Sequence, residues 1–177
     1  MGVPIDAAFL HGSITWLGDG DELAETSDVD LILVARQSAD LPIGKRLVDG
    51  LVLDVSTVER SAIDDASQVL GTYHLASSLR SPDLILFDSD GWLTAVQREV
   101  QEEFARREWI ARRCDAVVER SRTYLHAAVH APSDTDRAIA WLFGVGVTTH
   151  IHLVAGLRNP TVRRRYQATR EMLTTIG

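Results

Sequence analysis

The chain has 177 residues, 45% of them hydrophobic and 24% charged, with a formal net charge of −7 and a single cysteine, Cys114. That length buries the core of one or two small domains, and one cysteine excludes an internal disulfide and any cysteine-based zinc cluster. The charge is unevenly spread: residues 1–91 carry 5 Lys/Arg against 16 Asp/Glu (−11) and residues 92–177 carry 13 Arg against 9 Asp/Glu (+4), so the acidic front half argues against broad binding to nucleic acid, which needs a basic surface.

Residues 1–6 lack a basic stretch followed by an apolar one, so no secretion signal is expected. No apolar run of membrane-spanning length is read either, and a cytoplasmic protein without membrane contact is the expectation. The first strand is expected at about residues 7–11, ending in the turn Gly12-Ser13. A polar loop over 14–27 leads to a strand at 29–35. Leu41-Pro42-Ile43-Gly44 breaks the chain before a third strand at 46–57. A helix is expected between Ser61 and Leu79, capped by Ser61, with Ile63, Ala66, Val69 and Leu70 inward. A fourth strand lies at 83–87.

From Trp92 the pattern becomes helical. Leu93, Val96, Val100 and Phe104 recur at helical spacing and read as core. A second helix runs from about Trp109 to His130, with Cys114, Val117, Val118, Leu125 and Val129 inward. Pro132 ends it, and Ser133 caps a third helix, with Asp136 in the capping-box position. That helix contains Gly144, Gly146 and Gly156, whose helix-weakening cost points to close packing. Asn159-Pro160 opens a last helix, with Pro at its first position. The fold class is therefore α+β, a mixed-sheet domain over 1–91 followed by a helical bundle over 92–177.

Three items carry chemistry. Asp28 and Asp30 stand at positions i and i+2 of a strand start and face the same side. Two neighbouring carboxylates repel unless a cation sits between them, and Mg²⁺ takes carboxylate oxygens together with substrate phosphates. Asp54, inside the apolar run Leu51–Val55, could reach the same point from a neighbouring strand. Gly12-Ser13 could offer backbone N–H groups and a hydroxyl to a phosphate.

This constellation resembles the nucleotidyltransferase superfamily that includes DNA polymerase beta: an apolar strand, Gly-Ser, a spacer, Asp-x-Asp and a later third carboxylate. The stretch Leu84–Leu93 with a helical tail is similar to the kanamycin-type antibiotic nucleotidyltransferases. The resemblance implies transfer of a nucleoside monophosphate, AMP from ATP, to a hydroxyl of a small molecule such as an aminoglycoside, with release of pyrophosphate. It implies Asp28 and Asp30 as ligands of Mg²⁺, and Asp54 either on a second metal or orienting the acceptor. Gly12 would admit the phosphates and Ser13 would hydrogen-bond them. It implies a general base at Glu119, with Asp115 one turn earlier on the same helix face, and it leaves room for a homodimer sharing its active site.

Rival readings remain beside it. Glu119 also reads as a surface glutamate among Arg113, Arg120 and Arg122. His150 and His152, at i and i+2 on a helix, do not share a face, and His126 and His130, at i and i+4, have no evident third ligand, so both pairs read as surface or packing residues. Asp19, Asp21, Glu22 and Glu25 make the loop before Asp28 acidic where phosphates would need a cation; Lys45 is the only lysine of the chain. An acidic rim suits a polycationic acceptor instead. A protein-modifying nucleotidyltransferase of the toxin–antitoxin kind, and a non-catalytic interaction module on the same fold, are the alternatives.

Overall fold

Five strands form one mixed sheet in the order β3-β4-β2-β1-β5, comprising β1 (Ile5–His11), β2 (Val29–Ala35), β3 (Gly44–Val48), β4 (Leu51–Glu59) and β5 (Ile85–Asp88). The structure is a computed structural model that describes residues 4–18, 20–23, 27–37 and 44–176, and Trp16 and Ile176 are described by backbone alone. Acidic-loop residues Asp19 and Glu25, and the break at 41–43, lie outside the described residues. Only β2 and β4 run parallel; the other neighbours are antiparallel. Alternation sets the inner face of β1, where Ala7 and Phe9 are fully buried.

The strand expected at 46–57 is two strands. Asp49 (φ 49°) and Gly50 (φ 84°) both adopt left-handed backbone, which is what a two-residue hairpin turn between right-twisted strands demands. The Asp-Gly pair therefore folds β3 back on β4, with Val48 opposite Leu51.

The helix expected at 61–79 is also divided, into a 3-10 turn at Arg60–Ala62, α1 (Ala66–Gly71) and α2 (Tyr73–Leu79). Asp65 rather than Ser61 caps α1, accepting the Ser67 N–H at 2.7 Å. Ile63, Ala66, Val69 and Leu70 are buried as the spacing requires. α3 (Trp92–Glu103) starts where Asp88 Oδ2 accepts both the Thr94 N–H and its hydroxyl, at 2.9 and 2.8 Å. Its inner stripe is Leu93, Val96 and Val100.

The chain divides into two units, Met1–Leu70 with Ser78–Glu103 and Gly71–Ser77 with Phe104–Gly177. The second holds α4 (Arg107–Val129), α5 (Asp134–Val147), α6 (Thr149–Ala155) and α7 (Arg165–Ile176). Its core gathers Val117, Val147 and Val154, with Tyr73, Cys114 and Ile151 against them. On α4 the buried positions are Arg113, Val117, Ser121 and Ala128. Leu125 and Val129, expected inside, are exposed, Val129 by 74%.

Two polar side chains take the inner stripe instead because each satisfies a backbone carbonyl. Arg113 donates to the Phe104 carbonyl at 2.7 Å with its guanidinium over the Phe104 ring, and Ser121 donates to the Gly144 carbonyl at 2.8 Å. Ser133 caps α5, accepting the Asp136 N–H at 3.1 Å while its hydroxyl donates to the Asp136 carboxylate at 2.6 Å. A Cβ at Gly144 would press on Leu125, and one at Gly156 on Met172, so these glycines do mark close packing. The helix expected to carry all three glycines breaks at Thr148, and the last helix begins at Arg165, not at Pro160.

Asp134–Ala155 is long and apolar enough to cross a membrane by length and hydropathy alone (mean 1.5). Within it Gly144, Gly146, Val147, His150, Leu153 and Val154 are buried in the protein.

His150 is buried, and its Nε2–H donates to the Thr161 carbonyl at 3.1 Å, leaving Nδ1 buried with no hydrogen-bond partner among the described residues. Burial pushes its pKa below the ordinary 6.5, against the Thr161 bond and with the help of Arg165. His74 is shifted the same way, first by burial and then by Arg120. A depressed histidine lets the unfolded chain take up a proton that the folded chain refuses, so stability is full above 6.5 and falls as the pH drops below it. Urea midpoints followed by circular dichroism should decline from neutral pH to about pH 5, and His150→Gln should flatten that decline.

Candidate active site

Strand register assembles a row across the sheet. His11 on β1 pairs with Asp30 on β2, Asp30 with Asp54 on β4, and Asp54 with Lys45 on β3. Directly paired residues in a sheet project to the same face. Four ionisable side chains therefore stand side by side on one face, with two carboxylates in the centre. Asp28 sits one residue before β2 begins.

Lys45 joins the first and third of the predicted carboxylates. Its Nζ is ion-paired and hydrogen-bonded to Asp28 Oδ2, and lies 3.7 Å from Asp54 Oδ2. The Asp28 side chain is only 15% exposed, so its charge is poorly served by water and a facing cation offsets much of the cost. Lys45 is the sole lysine of the chain, and no motif in the sequence marks it for a role. The signal was present: a two-residue turn at Asp49-Gly50 forces Lys45 opposite Asp54.

Gly12 closes the other side. It stands at the end of β1 with φ +71°, and a Cβ there would overlap the Asp30 carboxylate. Glycine is required twice over, by the left-handed backbone and by the approach of Asp30. A 3-10 turn, Gly12–Trp16, follows, in which the Thr15 hydroxyl donates to the Gly12 carbonyl at 2.8 Å, while Ser13 is exposed. Beside it His11 Nδ1 and Ser78 Oγ are 2.6 Å apart, a second contact that the sequence did not announce.

The structure thus brings Gly12, Asp28, Asp30 and Asp54 to one end of the sheet face. Among the described residues, no three His, Cys, Asp or Glu side chains are grouped closely enough to hold a metal ion; the Lys45 ammonium lies between Asp28 and Asp54. By type the donors suit a hard divalent cation, and one positive charge, the Lys45 ammonium, faces two of them. Glu119 belongs to the second unit. There it is exposed on α4 and ion-paired to Arg122 at 3.5 Å. His126 and His130 have ring centroids 4.4 Å apart on the exposed end of the same helix.

At the opposite end of the same strands lies a second charged cluster. Asp6, 8% exposed, faces Arg36 and Arg60 at 3.7 Å each, and Arg60 stacks on Trp92 at 4.4 Å while reaching Asp90. It ties β1 to the chain beyond β2 and to α3.

No protein-family model matches the chain, and no curated protein matches it. Among solved structures it is similar to a nucleotidyltransferase-like protein from Exiguobacterium sibiricum, with 13% identity and a TM-score of 0.41, over 95% of this chain and 57% of that chain. At that TM-score the likeness carries no weight for function, which rests on the residues of the site.

Proposed function

We propose that this chain is a Mg²⁺-dependent nucleotidyltransferase that moves a nucleoside monophosphate, AMP from ATP, onto a hydroxyl of a small polar acceptor and releases pyrophosphate. The observation that carries the reading is the Gly12–Asp30–Asp54 register, in which a glycine without a Cβ, two carboxylates on paired parallel strands and a third at the strand start meet on one face. Phosphoryl-type transfer needs little covalent help from protein and much positioning and charge neutralisation.

In this reading Asp28, Asp30 and Asp54 would hold Mg²⁺. When bound, that ion would neutralise charge developing on the transferring phosphoryl group. Asp30 is held over Gly12, whose missing Cβ makes room for the carboxylate. Gly12 and Ser13 offer N–H groups and a hydroxyl to the triphosphate. Glu119 is the proposed general base, and its ion pair with Arg122 would have to open for that role. The acidic front half favours a polycationic acceptor of the aminoglycoside kind.

The Lys45 contact favours one second reading, a nucleotidyltransferase-like fold retained as a binding module. Its carboxylates are already served by an internal cation.

The test is pyrophosphate release with Mg²⁺ and each of the four nucleoside triphosphates against a panel of aminoglycosides and lincosamides. Acceptor-dependent release supports the enzyme and names the acceptor class. No release together with no nucleotide binding selects the binding module.

A further inference from the structure

We propose that Lys45 is a tethered counter-ion of the site: its ammonium holds Asp28 and Asp54 in the metal-free protein, and a divalent cation enters only by displacing it. The inference rests on the nucleotidyltransferase reading of the three carboxylates and assigns a residue outside their motif the control of cation affinity.

Four observations converge. Lys45 is aligned with the carboxylates by strand pairing, directly opposite Asp54. It touches Asp28 and comes within 3.7 Å of Asp54, so one charge serves two acids. No three acidic or histidine donors are grouped for a metal among the described residues, and the ammonium lies between two of the three carboxylates. Finally, the Lys45 side chain is 55% exposed while Asp28 is 15% exposed. The lysine has solvent to swing into; the carboxylate does not.

A lysine suits this task. Its charge is compact and sits on a flexible four-carbon stem, so it can leave without moving the backbone. β3 is an edge strand, bonded in the sheet on its β4 side. In the metal-free state the ammonium offsets the repulsion between Asp28 and Asp54. Apparent cation affinity is then the intrinsic affinity reduced by the fraction of molecules in which Lys45 has withdrawn. By linkage, bound cation must loosen Lys45 to the same degree.

The experiment compares Mn²⁺ binding, read by electron paramagnetic resonance, in the wild-type chain and Lys45→Met. It is paired with a Mg²⁺ titration of wild-type protein labelled with ¹³C-lysine, where the only lysine of the chain gives one side-chain signal. Lys45→Met is expected to bind Mn²⁺ at least about fivefold more tightly. Its metal-free form should unfold at lower temperature, with the gap to wild type closing at saturating Mn²⁺. The wild-type lysine signal should move to the position of a mobile, solvated lysine along the binding isotherm. Equal or weaker Mn²⁺ binding by Lys45→Met, or a lysine signal still in its ion-paired position at saturation, overturns the counter-ion while leaving the enzyme reading standing. Binding by neither protein, with or without ATP, overturns that reading itself and the counter-ion with it. Should Lys45→Met fail to fold, Lys45→Gln and the wild-type signal decide.

Discussion

Asp30→Asn protein should fold as well as wild type and lose at least roughly 10²–10³-fold of the nucleotidyl transfer proposed above. Asp30 is the central member of the row: it pairs with Asp54 on one side, with His11 on the other, and its carboxylate covers Gly12. The amide keeps the shape but removes the charge that a divalent cation needs. Because it also removes one of two adjacent carboxylates, it relieves repulsion, so thermal unfolding should be unchanged or later. Pyrophosphate release and a melting curve on the same preparation check both halves. An Asp30→Asn enzyme retaining more than about a tenth of wild-type turnover would exclude Asp30 from the metal set.

Gly12→Ala should cost more in activity than in stability, and Gly50→Ala shows why. Both glycines have left-handed backbone, with φ +71° and +84°. An alanine there costs about 1–2 kcal/mol from backbone strain alone. At Gly50 a Cβ meets nothing within 4 Å, whereas at Gly12 it overlaps the Asp30 carboxylate. That carboxylate is the end of a side chain and can turn aside, so the additional stability cost is small. Turning it aside moves the proposed metal donor by an ångström or more, and misplacement on that scale costs on the order of 10²-fold in rate. The two variants should therefore show similar urea midpoints, while only Gly12→Ala loses pyrophosphate release. Loss of both activities together would point to the fold and away from the carboxylate contact.

Local features were legible where one residue sets them. β2 lies at the expected 29–35 because a short apolar run is bounded by polar loops, and the Ser133 cap is as expected because capping chemistry is short-range. The α+β order follows from the change of period at Trp92. The Asp49-Gly50 hairpin was hidden inside an otherwise continuous apolar run, and with it the role of Lys45. The inner face of α4 was misplaced because hydrophobicity alone marks Leu125 and Val129, while Arg113 and Ser121 go inside to satisfy carbonyls that no sequence pattern displays. Of the site, Asp28, Asp30 and Gly12 are marked by spacing. The partnership of Asp30 with Asp54 depends on a parallel register between strands that are not consecutive, which single-sequence periodicity does not encode.

The position of the sole lysine in edge strand β3 has a consequence for digestion. A protease that cuts only after lysine has one target in the whole chain, the Lys45–Arg46 bond. In the folded protein that bond lies in a strand paired to β4, and a protease must draw a strand into its own cleft to cut it. Cleavage therefore waits for the hairpin to fray, and its rate at low enzyme reads the free energy of that local opening. A single scission between β2 and β4, easily counted on a gel, measures how firmly the sheet holds the edge that carries its internal cation.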